Sequence, residues 1–188
     1  EKGLSRGRWT MFGDFSMQAI YADGTSGAGM IEKLEDQTAF IRFKLTINCR
    51  NTKPICKEIE TVTGFQAPNN LWTKVDGPPV QYITWSTMEN QCKKLQTLLK
   101  QLADAHISPE QITILSPKRR DDSVFSMLDG YPIKDFKVPI GVNTTFCTIQ
   151  AYKGLENTVI ILTGIENFSS DMLMYVGLSR ACSGLFIL

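Results

Sequence analysis

The sequence predicts an α/β protein built on a mainly parallel sheet, and three observations carry that prediction. Short β-rich runs alternate with helical patterns along most of the chain, the signature of repeated strand–helix units. The 188 residues suffice for one ordinary domain with a piece of a neighbour and are too few for two. A composition of 43% hydrophobic and 21% charged residues is that of a folded globular chain rather than a disordered or collagen-like one. Folding a chain of this size removes roughly 70% of its unfolded surface from water, so a core needs neither disulfides nor a structural metal.

Strands are expected at 8–13, 39–45, 80–85, 112–116, 144–149, 157–163 and 184–188. After Ser86 the apolar residues Met88, Cys92, Leu95, Leu98, Leu99 and Leu102 recur at three- and four-residue spacing, which predicts a helix to about Ala105. Ser86 and Glu89 fit a capping box at its start. A second helix follows Arg50, with Asn51 as cap, Ile55, Ile59 and Val62 on one face, and Gly64 as stop. A third is expected over Ser170 to Cys182, ending at Gly184. Ser108-Pro109-Glu110-Gln111 reads as a capped turn feeding the strand at 112. Residues 22–29, Ala-Asp-Gly-Thr-Ser-Gly-Ala-Gly, have a linker's composition.

Charge and patterning exclude several classes. Twenty basic against nineteen acidic residues leave a net charge of +1, so nucleic acid is drawn by no global field and any contact must be local. The longest apolar runs, such as Val159 to Leu162, fall far short of the ~20 residues that cross a bilayer, and no signal core opens the chain. Five cysteines, odd in number and never spaced Cys-x-x-Cys, read as reduced thiols of a cytoplasmic protein. His106 is the single histidine and has no ligand-spaced partners, so no metal site is expected. Pro117-Lys118-Arg119-Arg120-Asp121-Asp122 nearly cancels its own charge and reads as a solvated turn, while Trp72, Tyr82 and Trp85 read as core. Apolar runs at both ends, Trp9 to Phe12 and Leu185 to Leu188, lead us to expect an excised piece of a longer chain.

Four segments carry the chemistry. Gly13-Asp14-Phe15-Ser16-Met17-Gln18-Ala19-Ile20-Tyr21 puts an acid and a glutamine after a strand, where a glutamine can orient a water or sense a phosphate. Asn48-Cys49-Arg50-Asn51 puts an arginine at a strand-to-helix junction, where its planar fork suits a phosphate. Thr148-Ile149-Gln150-Ala151-Tyr152-Lys153-Gly154-Leu155-Glu156 offers a cation, a close-approaching backbone and a carboxylate able to accept a ribose hydroxyl. Tyr175-Val176-Gly177-Leu178-Ser179-Arg180-Ala181 combines small residues for close helix packing with a second arginine. Each has a structural reading on its own: Asp14 a helix cap, Arg50 and Arg180 solvated charges, Gly154 a turn, Lys153 and Glu156 a surface ion pair. The glycines of 22–29 do not form a phosphate loop, because Gly29 is followed by Met30-Ile31 rather than Lys-Ser/Thr, and no Gly-Lys-Ser/Thr loop occurs elsewhere.

In this order and spacing the four segments resemble motifs III, IV, V and VI of the UvrD/Rep-type superfamily 1 helicases, over Gly13 to Ala181. The resemblance implies a RecA-like three-layer α/β fold of the P-loop NTPase type, without the Walker A loop. It implies residues 1–22 as the tail of a first RecA-like domain, 23–38 as linker and 39–188 as the second. The implied parent is an ATP-dependent DNA helicase or translocase, whose ATP and Mg2+ sit between the two domains with the metal ligands on the first. By the same resemblance Gln18 senses the γ-phosphate, Arg50 and Arg180 contact it, Lys153, Gly154 and Glu156 line the nucleotide, and Tyr21 and Thr148 meet single-stranded DNA.

The chain also departs from the family. Cys49 stands where relatives carry an aromatic stacked on adenine, Ala22-Asp23 where motif III continues into Trp-Arg, and Gln150 where motif V has histidine. The interval from Arg50 to Thr148 leaves no room for the large insertion of many relatives. The isolated chain is expected to be inactive, and Arg50→Ala or Arg180→Ala in the parent to abolish DNA-stimulated ATPase while sparing the fold. Two alternatives remain open: a helicase-like binding module with a degenerate ATP site, and a nucleotide-dependent switch.

Overall fold

The computed structural model describes residues 7–13, 27–43, 45–65, 70–71, 76–128, 132–136, 141–166 and 171–188. Its elements in chain order are α1 (Gly27–Glu35), β1 (Ile47–Asn48), α2 (Lys53–Thr63), β2 (Asn70–Leu71), β3 (Gln81–Tyr82), α3 (Met88–Asp104), β4 (Ile112–Ser116), β5 (Ile133–Asp135), β6 (Thr144–Thr148), β7 (Asn157–Leu162), α4 (Asp171–Leu178) and β8 (Ala181–Ile187). Strands β3-β8-β7-β4-β6-β5 form a six-stranded sheet in which every ladder is parallel, while β1 and β2 make a separate parallel pair. The expected α/β class and mainly parallel sheet are therefore observed.

Central parallel strands are covered on both faces and so read as continuous apolar runs. All five residues of β4 are buried, as are Val159 to Leu162 of β7. On one face α2 and α4 pack Ile55, Ile59, Met174, Val176 and Leu178 against Leu115, Ile160, Leu162 and Leu185. On the other, α3 lays Cys92, Leu95, Leu98 and Leu102 against Ile114, Phe146, Val159 and Ile161. Three layers result, helix–sheet–helix. Gly177 lets α4 approach closely: a Cβ there would stand 3.1 Å from Leu162 Cδ2 and 3.4 Å from Ile149 Cδ1.

Several boundaries move, each for a physical reason. Residues 8–13 and 39–45 form no strand among those described, and the strand falls instead at Ile47–Asn48. Ladder pairing defines a strand, and pairing begins only where Ile47 and Asn48 meet Asn70 and Leu71. Several apolar side chains of those two runs stay out, Phe12, Ile41, Phe43 and Leu45 being each at least 80% exposed, while Trp9 and Phe40 are half-buried against one another. Within the 23–38 stretch lies α1, whose Ile31 and Leu34 are half-buried at three-residue spacing in a run of helix formers. The cap of α3 is Thr87, not Ser86, and its hydroxyl accepts from Asn90 N at 3.2 Å. Glu89 follows in the first turn, where its own backbone N–H and Thr87 hold its carboxyl below the usual range. Helix α4 ends at Leu178 rather than Cys182, because Ser179-Arg180 turns the chain straight into β8. Gly184 then lies within β8, where a Cβ would meet Val159 Cγ2 at 3.2 Å, and stops no helix. Gly64 does end α2, in the left-handed conformation (φ 68°), and its N–H bonds Glu60 O. His106 serves the same purpose after α3 with φ 61°, so the single histidine is a helix terminator.

Candidate functional site

A helix that follows a parallel strand carries the chain back to the amino edge of the sheet, so a residue between a helix C-terminus and the next strand lies there. Arg180 is such a residue, between α4 and β8, and Glu156 precedes β7 directly. The ladder sets them side by side: Asn157 pairs with Ala181, and Asn157 N donates to Arg180 O. The second arginine arrives from the β1–α2 loop. Asn48 builds that loop by accepting from Arg50 N at 2.9 Å and Asn51 N at 3.1 Å through Oδ1. Asn51, 3% exposed, then clamps it to the α4–β8 turn, its Nδ2 donating to Ser179 O at 3.2 Å and Ala181 O at 2.6 Å. Asn51 thus precedes the true cap, Thr52, and acts as a tether rather than as the expected cap. Arg50 points outward and its Nε donates to Glu156 Oε2.

The two guanidiniums are unlike. Arg50 and Glu156 are both open to solvent, their side chains 37% and 51% exposed. Arg180 is 1% exposed, which overturns its reading as a solvated, projecting charge. Its Nε donates to Val176 O at 2.9 Å, one Nη to Leu155 O at 3.1 Å and the other to Ser179 Oγ at 2.7 Å. All three acceptors are uncharged, and two of them belong to the last turn of α4 and its exit, where a cation complements the helix dipole. Burial and the nearby Arg50 lower the Arg180 pKa, with Tyr175, Glu156 and Tyr152 acting in the opposite sense. Among the described residues the Glu156 carboxylate therefore acts on both cations. Cys182, one strand residue further on, feels the same trio: burial and Glu156 raise its thiol pKa, and both arginines oppose.

Beneath this trio a buried polar knot fixes the backbone. Tyr152, 1% exposed, donates through its hydroxyl to Glu156 O at 3.1 Å and meets Thr113 Oγ1 at 3.3 Å. Thr113 Oγ1 also takes Asn157 Nδ2 at 2.9 Å. Leu155 N donates to Tyr152 O, and Leu155 O receives Arg180, so the 152–157 segment holds one partner of each arginine. Gly154, exposed with φ 89°, turns this segment as only glycine does readily, and Lys153 sits half-buried beside it.

Thr148 lies elsewhere. It ends β6 opposite Ser116 at the carboxyl edge, and its Oγ1 accepts from Ala151 N at 3.3 Å. The expected site residues thus divide between two edges: Arg50, Arg180 and Glu156 together at the amino edge, Thr148 across the sheet. Gln18 and Tyr21 lie outside the described residues. The basic turn is committed to structure: Lys118 pairs with Glu166, and Arg120 with Asp135 and Ile133 O, its guanidinium over Phe125.

The sequence matches no protein-family model and no curated protein. Among solved structures, the C-terminal domain of a possible DNA helicase from Lactobacillus plantarum WCFS1 superposes with a TM-score of 0.55 at 15% identity, over 74% of this chain and 86% of that one. The fold is RecA-like. Two helicase structures from PRRSV, one of them nsp10, give TM-scores of 0.41 and 0.40 at 14% and 15% identity. They align over 77% and 82% of this chain, which spans about a quarter of each. Within the RecA-like frame, sequence reasoning missed Asn51 as a tether and Tyr152 as the anchor of Glu156. A buried asparagine and a buried tyrosine are legible only once their partners on other elements are known. Among the described residues no helix is long and apolar enough to cross a membrane.

Proposed function

We propose that this chain is the second RecA-like motor domain of an ATP-dependent DNA helicase or translocase, supplying phosphate-sensing arginines to an ATP site shared with a first RecA-like domain. One observation carries the reading. Arg50 and Arg180, far apart in sequence, stand within electrostatic reach at one sheet edge, and among the described residues the Glu156 carboxylate acts on both. The open Arg50 fork suits a phosphate group, with the buried Arg180 adding positive charge behind it, and an arginine so placed is worth about 10³ to 10⁵ in rate where phosphoryl transfer spreads charge over oxygens. ATP bound there supplies the transferable phosphoryl group, and its Mg2+ is assigned to ligands on the first domain. Arg50 reads the phosphate directly, Lys153 and Gly154 border it, and Gln18 senses it. Thr148 and Tyr21 touch single-stranded DNA, and Thr148 at the opposite edge keeps the strand path apart from the nucleotide. Residues 1–22 belong to the first domain in this reading, and the exposed Ile41, Phe43 and Leu45 are apolar surface that it covers.

Arg50→Ala in the full-length parent is the test. We expect loss of DNA-stimulated ATP turnover by at least ~10³-fold with the melting temperature nearly unchanged; an unaltered turnover number rejects the role. One observation favours a second reading, a helicase-like binding module with a degenerate ATP site. Arg180 is buried and spends its bonds on Val176 O, Leu155 O and Ser179 Oγ. A parent that binds DNA or protein yet hydrolyses no ATP in its native form would establish that reading instead.

A further inference from the structure

We infer that Glu156 is a displaceable counter-ion of Arg50, holding the guanidinium in the unliganded protein and giving way to the phosphate of an incoming polyanion. The inference rests on the reading of Arg50 as a phosphate ligand and adds to it the residue that sets the site's affinity.

Four features support it. The pair joins side chains 106 positions apart in sequence, so a tertiary arrangement and not local chain geometry makes the contact. Both partners are solvent-exposed, which makes the bond weak and quick to exchange. Among the described residues Arg50 is the partner of the Glu156 carboxylate, while its carbonyl takes the Tyr152 hydroxyl, so the carboxylate can swing away with the main chain held in place. Arg180 needs the negative charge, being a buried cation bonded only to uncharged oxygens beside a second cation. A carboxylate at this point neutralises part of that excess, and a phosphate arriving at Arg50 would do so more completely. While it remains, the carboxylate competes for the Arg50 fork and repels the arriving anion. Once displaced, it is free to accept a hydroxyl from the ligand's sugar.

The sign of this effect separates it from a purely structural role, because removing Glu156 should improve binding. The probe is inorganic tripolyphosphate, titrated calorimetrically into the wild-type chain, Glu156→Gln, Arg50→Ala, the double variant, and Glu166→Gln. The last removes one carboxylate from the Lys118 pair at the other edge and controls for net charge. We expect Glu156→Gln to bind about tenfold more tightly than wild type, Glu166→Gln to match wild type within about twofold, and Arg50→Ala to abolish binding in both backgrounds. Tripolyphosphate binding that depends on Arg50 but is unchanged or weakened in Glu156→Gln overturns the counter-ion role and leaves the phosphate-ligand reading standing. Binding indifferent to Arg50, or absent from every variant, overturns both.

Discussion

At the amino edge of the large sheet two guanidiniums share one carboxylate, and the one buried within the fold has only uncharged acceptors. At the carboxyl edge one cation meets one carboxylate and the buried Gln91 amide finds its partners. There Lys118 pairs with Glu166, and the Gln91 carboxamide, oriented by its network, accepts from Trp85 Nε1 at 3.2 Å, Gly164 N at 3.0 Å and Thr163 Oγ1 at 3.1 Å. Among the described contacts, one edge thus sets two guanidiniums about one carboxylate and the other pairs one cation with one carboxylate. Neutral, satisfied networks fix a backbone; uncompensated charge next to solvent is what recruits an ion. The edges differ in kind because the helix exits, with their carbonyls and cationic partners, gather at the amino edge.

The comparison breaks most directly at Arg180. Alanine there removes three hydrogen bonds from a cation and leaves the part-buried Leu155 O without that donor, while Val176 O keeps only the Ser179 hydroxyl at 3.2 Å. Relief of the buried charge offsets part of the loss, yet each charge-assisted bond is worth about 1.5–3 kcal/mol. We expect Arg180→Ala to destabilise the chain by about 3–5 kcal/mol in urea denaturation, a large share of the ~5–15 kcal/mol that holds a domain. This replaces the expectation from sequence that Arg180→Ala spares the fold. A loss below ~1 kcal/mol would mean that the side chain is not the bracket its bonds describe, and the two edges would then be alike.

Gln91 tests the other edge. Substitution by methionine keeps the volume and strands the Trp85 indole, the Gly164 amide and the Thr163 hydroxyl. We expect a cost of about 1–3 kcal/mol, since Thr163 can rotate and only the two N–H groups are left fully orphaned. Binding of tripolyphosphate at Arg50 should not change, because Gln91 sits across the sheet. A change in that affinity would show the edges to be coupled.

How much of this was legible in advance depends on whether a residue's partner is near in sequence. The period of Cys92, Leu95, Leu98 and Leu102 announced α3, and the runs at Ile112 and Asn157 announced the central strands, because burial on both faces leaves its mark on consecutive residues. The three-residue β5 escaped notice, since Ile133 alone of Ile133-Lys134-Asp135 is buried. The runs 8–13 and 39–45 show the reverse error: they have a strand's alternation but no strand beside them among the described residues. In the site, Arg50 and Glu156 were found by motif and now touch. That Arg180 is buried, that Asn51 reaches Ser179 O and that Tyr152 holds Glu156 O were not readable. Each depends on a contact between elements, and a polar residue's type does not reveal whether it faces water.

The smallest effect sharpens the comparison most. Arg50–Glu156 and Lys118–Glu166 are exposed ion pairs of similar solvent access, so for folding they should be equivalent. Pairs of this kind contribute about 0.2–1 kcal/mol and are screened by salt, and we expect Arg50→Ala and Lys118→Ala each to cost less than ~1 kcal/mol, shrinking at 1 M salt. One difference is predicted within that narrow range. Losing Lys118 leaves Glu166 without the partner it has among the described residues, whereas losing Arg50 removes a cation that, after burial, lowers the Arg180 pKa, and leaves Glu156 to serve Arg180. Arg50→Ala should therefore be the milder of the two at low salt, and the gap should close as ionic strength rises. If Arg50→Ala is instead the more damaging, the two guanidiniums do not repel through the fold, and the amino edge is no less balanced than its opposite.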